Sequence, residues 1–160
     1  MIKDKRILIT GATSGIGLAL CEFLLNHNCS VIAVGRDESK IIQLKERYAN
    51  TLKFVGLDLN DFSSYNKIFE EALSGEKFDG FVHCAGIEET MPLTMYNPEN
   101  VAKIFTINVF SGIELLRSFS KKKYSNDGAS VVYISSVMGE LGQPGKIGYC
   151  STKAAVLGVV

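Results

Sequence analysis

The chain has 160 residues, 46% of them apolar and 21% charged, the make-up of an ordinary globular protein with room for a single domain and a sizeable core. Lys plus Arg and Asp plus Glu number 17 each, so no surplus of positive charge exists to hold nucleic acid or an anionic membrane surface. No apolar run reaches the ~20 residues that span a bilayer, the opening MIKDKRILIT lacks the apolar centre of a signal peptide, and the four cysteines show no metal-ligand spacing. A cytoplasmic protein with reduced thiols and a small-molecule ligand is expected, with no nucleic-acid, membrane or metal partner.

Apolar runs of strand length at 6–10, 30–35, 53–56, 79–83 and 129–135 alternate with helical periods at 15–27, 37–50, 61–74 and 98–123. That alternation predicts βαβ units on a parallel sheet, and the near-continuous apolar character of the strands predicts helices on both faces. Right-handed crossovers then give a Rossmann-type doubly wound α/β sheet of strand order 3-2-1-4-5. Its ligand crevice lies beside the first and fourth strands.

The first strand, RILIT, runs into T-G-A-T-S-G-I-G at residues 10–17 and then into the helical LALCEFLLN. Gly11, Gly15 and Gly17 would turn the chain tightly, let backbone approach a pyrophosphate, and let helix pack closely on strand. Thr13, Ser14 and Ile16 complete the turn at a helix N-terminus, whose free N–H groups favour an anion. Glycine-rich turns also end strands for structural reasons alone; the strand-turn-helix setting gives this one its functional reading.

The second strand ends at Gly35 and is followed by Arg36, where an NAD site usually carries an acidic residue for the ribose hydroxyls. An arginine there can pair with the 2′-phosphate of NADP as a planar charged fork. NADP(H) is therefore expected ahead of NAD(H), with Asp37 next door keeping NAD(H) open.

Beyond the fourth strand stand His83, Cys84, Ala85 and Gly86. His83 reads either as a histidine satisfied at the sheet end or as an acid–base group. Cys84 and Cys150 read either as small buried thiols or as redox-sensitive ones. Glu88, Glu89, Glu140 and Gln143 are polar residues of a pocket rim or of solvent-facing loops. Asn108 interrupts an apolar stripe, so its amide needs a buried partner or a water.

The segment SVVYISSVMGELGQPGKIGYCSTK at 130–153 places Tyr149 and Lys153 four residues apart at the start of a predicted helix, hence on one face. A phenol of ordinary pKa near ~10 is a poor proton carrier at neutral pH, and a neighbouring ammonium favours the phenolate. Ser136, thirteen positions before Tyr149, can return beside it across the strand end and hold a carbonyl oxygen.

Together these features resemble the short-chain dehydrogenase/reductase family over essentially the whole chain: the turn from Thr10 to Gly17, Asp58 after the third strand, Ala85-Gly86, Asn108, and the set Ser136, Tyr149 and Lys153. The resemblance implies hydride transfer between NADP(H) and a ketone or secondary alcohol, of 3-oxoacyl or small keto/sugar type. It implies Tyr149 as proton donor and acceptor, Ser136 orienting the substrate, Lys153 on the nicotinamide ribose, and Asn108 holding a relay water. Asp58 would bond the adenine, with Leu59, Ala85 and Gly86 also lining the cofactor. Many family members carry N-N-A-G where this chain has His83 to Gly86, so the local hydrogen bonding should differ.

Two other readings use fewer of these residues. A nucleotide-sugar epimerase or dehydratase shares Y-x-x-x-K but normally spaces its first glycines G-x-x-G-x-x-G, and a non-catalytic dinucleotide-binding module has no need of Ser136 beside Tyr149. Family members also continue into two further strands and a substrate-covering segment. The resemblance therefore implies a fifth strand with an open apolar edge, a last helix whose Ala155, Val156, Val159 and Val160 lack the layer they would cover, and a fragment that is homo-oligomeric, domain-swapped or poorly soluble.

Overall fold

A computed structural model describes residues 2–72 and 76–159. Residues 73 and 74 of the third predicted helix, and Val160, lie outside the described residues. Five parallel strands form one sheet in the order β3-β2-β1-β4-β5, as expected. They are β1 (Arg6–Thr10), β2 (Ser30–Gly35), β3 (Leu52–Gly56), β4 (Phe78–His83) and β5 (Ser125–Tyr133).

β1 is central, with Ile7 opposite both Val31 and Gly80, and Thr10 opposite both Val34 and His83. Its side chains alternate between two cores, as the two-residue period of a strand demands. Leu8, Ile32, Val34, Val55 and Phe81 face one side, where Phe69 of α3 (Asn66–Ala72) and Leu115 and Phe119 of α5 (Ser111–Phe119) cover them. Ile7, Ile9, Val31, Ala33 and Val82 face the other, under Cys21, Leu24 and Leu25 of α1 (Gly15–Asn26).

Polar side chains shorten two of the predicted helices. Asp37 accepts from Ser39 N–H and caps a 3-10 turn at Glu38–Ile41, so α2 covers only Ile42–Arg47. Asp61 does the same for a 3-10 turn at Phe62–Ser64, ahead of α3. Such short acceptors offer the backbone an alternative to helix.

The long helix predicted at 98–123 is divided into α4 (Pro98–Phe105), a π-turn (Thr106–Phe110) and α5. Ser111 Oγ donates to Ile107 O at 2.7 Å, and the Asn108 amide is bonded to residue 87 across the crevice.

β5 starts earlier than predicted, through an irregularity opposite Phe78 to Gly80, and leaves the sheet after Tyr133 rather than 135. Its burial alternates, which corrects the expectation that every strand is covered on both faces. Val132 is 46% exposed, in an apolar groove shared with Ile16, Leu20 and Leu24. Among the described residues no strand pairs with the outer edge of β5.

After β5 come α6 (Met138–Leu141) and α7 (Ile147–Val156). α7 packs against α4, α6 and the π-turn. Val156 is only 2% exposed, so the expectation that it would lack a covering layer does not hold, and Ala155 and Val159 are half-buried.

Candidate active site

The glycines of the first turn have separate jobs. Gly11 sits at φ +65°, and a Cβ on it would lie 2.7 Å from Ala85 N, so the turn and the end of β4 meet backbone to backbone. A Cβ on Gly17 would lie 2.2 Å from Gly11 O, which lets α1 close onto the turn. Gly15 sits at φ +50° with nothing within 4 Å, leaving open space over the N-terminus of α1.

That N-terminus suits an anion. Ser14 occupies the N-cap without a side-chain cap bond, and no acidic residue lies in the first turn. Gly11, Thr13 and Ser14 line one crevice with Gly35, Arg36, Asp58, Leu59, Ala85 and Gly86. Ile16 does not join them: it is 62% exposed and lines the apolar groove beside β5.

At the far end of the crevice Arg36 is exposed, while the carboxylate of Asp37 accepts from Ser39 N–H at 3.0 Å and from Ser39 Oγ at 2.6 Å. Asp37 is thus turned into its own loop. Asp58 accepts from the backbone N–H of Asn60 at 3.0 Å and from its amide at 2.8 Å, and these bonds hold its carboxyl below the usual range. Leu59 is buried, and its carbonyl accepts from Tyr65 OH at 2.7 Å.

Asn108 is fully engaged by protein. Its Oδ1 accepts from Ile87 N–H at 2.7 Å, while Nδ2 donates to Ile87 O at 2.9 Å and to Thr152 Oγ1 at 3.0 Å. Both amide protons are therefore used in fastening residue 87 and α7. Thr152 Oγ1 donates in turn to Tyr149 O at 2.8 Å.

Lys153 is 6% exposed, and its Nζ donates to Ile134 O at 2.6 Å, just past the end of β5. The ammonium lies 5.7 Å from the centre of the Tyr149 ring, so the two side chains share one face as their spacing predicts. Burial holds the lysine below its ordinary range, with the Cys84 thiol acting in the opposite sense. A Cβ on Gly86 would come within 3.6 Å of this ammonium and 3.4 Å of Asn108 Oδ1, so the bare backbone at 86 keeps that corner open.

Ser135 Oγ donates to Lys153 O at 2.8 Å, tying the strand end to α7. Ser136 Oγ accepts from Met138 N–H at 3.2 Å, which leaves its own proton uncommitted by that bond. The structure thus gathers Asn108 and Lys153 around Gly86 and sets Tyr149 beside Lys153, with Ser136 on the loop joining β5 to α6.

His83 is 3% exposed, and burial pushes its imidazole down to about 4. It is neutral at physiological pH, as the sheet-end reading requires. Burial likewise raises Cys21 to about 12 and Cys84 to about 11, so neither supplies a thiolate. Glu88 is paired with Lys146, and Glu89 with Lys103 at 3.0 Å. Glu140 and Gln143 face solvent.

Several contributors are invisible at the level of motif: Thr152, Ser135, the carbonyl of Ile134, and the Thr10–His83 pair bonded at 2.8 Å. For Thr152 a signal exists, because Gly148, Thr152 and Val156 form a buried row at four-residue spacing. A polar side chain in such a row must find an internal partner. Among the described residues there is no cluster of His, Cys, Asp and Glu fit to hold a metal, and no helix is long and apolar enough to cross a membrane.

The sheet, with its order β3-β2-β1-β4-β5 and the glycine turn after β1, defines a doubly wound α/β protein. The sequence model for short chain dehydrogenase matches residues 5–160, and the chain belongs to that family. It is 31% identical over 159 residues to the 3-oxoacyl-[acyl-carrier-protein] reductase FabG of Rickettsia conorii, covering 99% of this chain and 64% of that protein. It is 28% identical to the acetoacetyl-CoA reductase of an Acinetobacter species, covering 99% of this chain and 66% of the other. A short-chain dehydrogenase from Streptomyces avermitilis superposes with a TM-score of 0.87 at 26% identity, over 96% of this chain and 57% of that one. The chain thus spans just under two thirds of the first of these relatives.

Proposed function

We propose that the protein is an NADP(H)-dependent oxidoreductase acting between a ketone and a secondary alcohol, with a 3-oxoacyl thioester as the leading substrate class. The observation that carries the reading is Lys153: a buried ammonium held by the Ile134 carbonyl, on the same helix face as Tyr149, beside the open corner at Gly86. The relatives named as reductases of 3-oxoacyl-carrier-protein and of acetoacetyl-CoA both act on a 3-oxoacyl thioester, which supports that substrate class.

The residues fit a dinucleotide. The uncapped N-terminus of α1 and the open space over Gly15 suit a pyrophosphate. Arg36 suits the 2′-phosphate of NADP, all the more because Asp37 is engaged with Ser39. When bound, the nicotinamide supplies or accepts the hydride.

Everything else falls to the chain. Lys153 would hold the ribose, its ammonium on the same helix face as Tyr149. Tyr149 gives a proton to the carbonyl oxygen in reduction and takes it back in oxidation. Ser136 donates its hydroxyl proton to the same oxygen and so orients the carbonyl over Gly86. Asn108 positions the floor at residue 87 and the helix bearing Tyr149. A cytoplasmic homo-oligomer belongs to the same reading, and the apolar groove and the edge of β5 that no described strand covers support the oligomer.

The test is NADPH-linked reduction of acetoacetyl-CoA by the purified protein, beside a Tyr149→Phe variant. The expected result is turnover that falls by about 10²–10⁴-fold in the variant while NADPH still binds. Near-normal turnover in Tyr149→Phe would sink the reading.

A further inference from the structure

The end of β4 carries His83 and Cys84 where the resemblance leads one to expect asparagines, and His83 ends a short hydrogen-bonded chain that starts at Ala85 N–H. Ala85 N–H donates to Thr10 Oγ1 at 3.3 Å, so that oxygen is already an acceptor. Thr10 Oγ1 lies 2.8 Å from His83 Nδ1. Among the described residues this nitrogen is the acceptor within reach of the threonine proton, and a neutral Nδ1 with a free lone pair completes the chain.

The opposite side of the ring leads to the same assignment. Nε2 is buried without a hydrogen-bond partner among the described residues. The backbone of Ile107 and Asn108, inside the π-turn, faces the ring and favours a proton on it. With Nδ1 accepting from Thr10, Nε2 is the nitrogen left to carry the proton of a neutral ring. Gly112 lets its helix come close to the ring: a Cβ there would lie 2.9 Å from His83 Cδ2 and 2.6 Å from the Tyr133 ring.

We propose that His83 is a positioning residue for the candidate site: locked as the neutral Nε2–H tautomer, it joins the Thr10–Ala85 floor of the dinucleotide crevice to the π-turn that presents Asn108. The two sides then grip one short segment. Thr10 holds Ala85 N–H, Asn108 holds both backbone groups of Ile87, and Gly86 between them keeps the backbone bare where Lys153 approaches. The link to cofactor binding rests on the functional reading given above; the tautomer does not.

The chain has two histidines, so the tautomer can be read directly. Nitrogen-15 NMR of uniformly labelled protein at neutral pH, assigned by a variant of the exposed His27, His27→Gln, should show His83 neutral with its proton on Nε2. A proton on Nδ1, or a charged ring, would overturn the proposal. Thr10→Val and His83→Phe, each verified as folded, should each weaken NADPH binding about tenfold. The double variant should be no weaker than either, and His83→Asn, which keeps an acceptor at the Nδ1 position, should recover most of the loss. Additive losses, or full affinity in His83→Phe, would refute the coupling. If the wild-type protein bound neither NADPH nor NADH, the dinucleotide reading would fall, and the NMR result would still decide the tautomer.

Discussion

Asn108 Nδ2 donates to Thr152 Oγ1 at 3.0 Å, and this bond fastens the π-turn to the helix that carries Tyr149 and Lys153. Thr152 hands its own proton to Tyr149 O at 2.8 Å, so one hydroxyl serves both elements. Thr152→Val keeps the shape and removes the bond, leaving a buried amide proton unpaired. The expected cost is about 1–3 kcal/mol in urea unfolding, with Thr152→Ser close to wild type. Equal stability of the valine and serine variants would show that packing, not the hydroxyl, matters at 152.

Glycine 17 and glycine 15 should respond differently to alanine. The new Cβ at 17 would sit 2.2 Å from Gly11 O, which is backbone and cannot move aside. A loss of about 3 kcal/mol is expected, near the upper end for overpacking. At 15 the methyl enters open space and only the left-handed backbone is strained, for about 1–2 kcal/mol. Denaturant titration of the two variants ranks them, and the reverse ranking would contradict the packing described for the turn.

Cofactor preference should rest on Arg36. Removing the guanidinium in Arg36→Ala costs a charge-assisted fork, about 1.5–3 kcal/mol, and therefore about 10–100-fold in NADPH affinity. NADH, lacking the 2′-phosphate, should bind the variant and the parent alike. Fluorescence titration with both cofactors checks this, and an equal loss for the two would assign Arg36 to the fold instead.

Acid stability follows from His83. Its imidazole is lowered from 6.5 to about 4 in the folded protein, chiefly by burial. As pH falls through 6.5 the unfolded chain takes up a proton that the folded one refuses, so stability declines between 6.5 and about 4, by up to about 1.4 kcal/mol per pH unit from this group. Urea unfolding across that window should show the slope, and His83→Asn should lack it. An unchanged slope in the variant would move the acid sensitivity elsewhere.

Most of the sheet could be read from the chain because each strand is an apolar run bounded by turn residues, and parallel order follows from the alternation with helices. Helix lengths were less legible. Asp37 and Asp61 read equally well as helix-start residues and as caps of 3-10 turns, and only the chain around them decides. The division at Thr106–Phe110 carries no sequence sign at all, since a π-turn depends on what Asn108 finds across the crevice. At the site, Tyr149 and Lys153 were legible because helical spacing fixes their shared face. The Ile134 carbonyl that holds the ammonium was not, because it is a backbone atom placed by where β5 leaves the sheet.

The central place of β1 has a consequence for how the protein is made. β1 meets β2 within its own neighbourhood, but Thr10 and its partner His83 are 73 residues apart. A ribosome adding ~5–20 residues per second needs roughly 4–15 s to deliver the missing neighbour. For that interval the growing chain presents an unpaired apolar border in what becomes the middle of the sheet. Slower emergence, or a shortage of chaperones that shield such borders, should therefore lower the yield of folded protein before it alters the finished molecule.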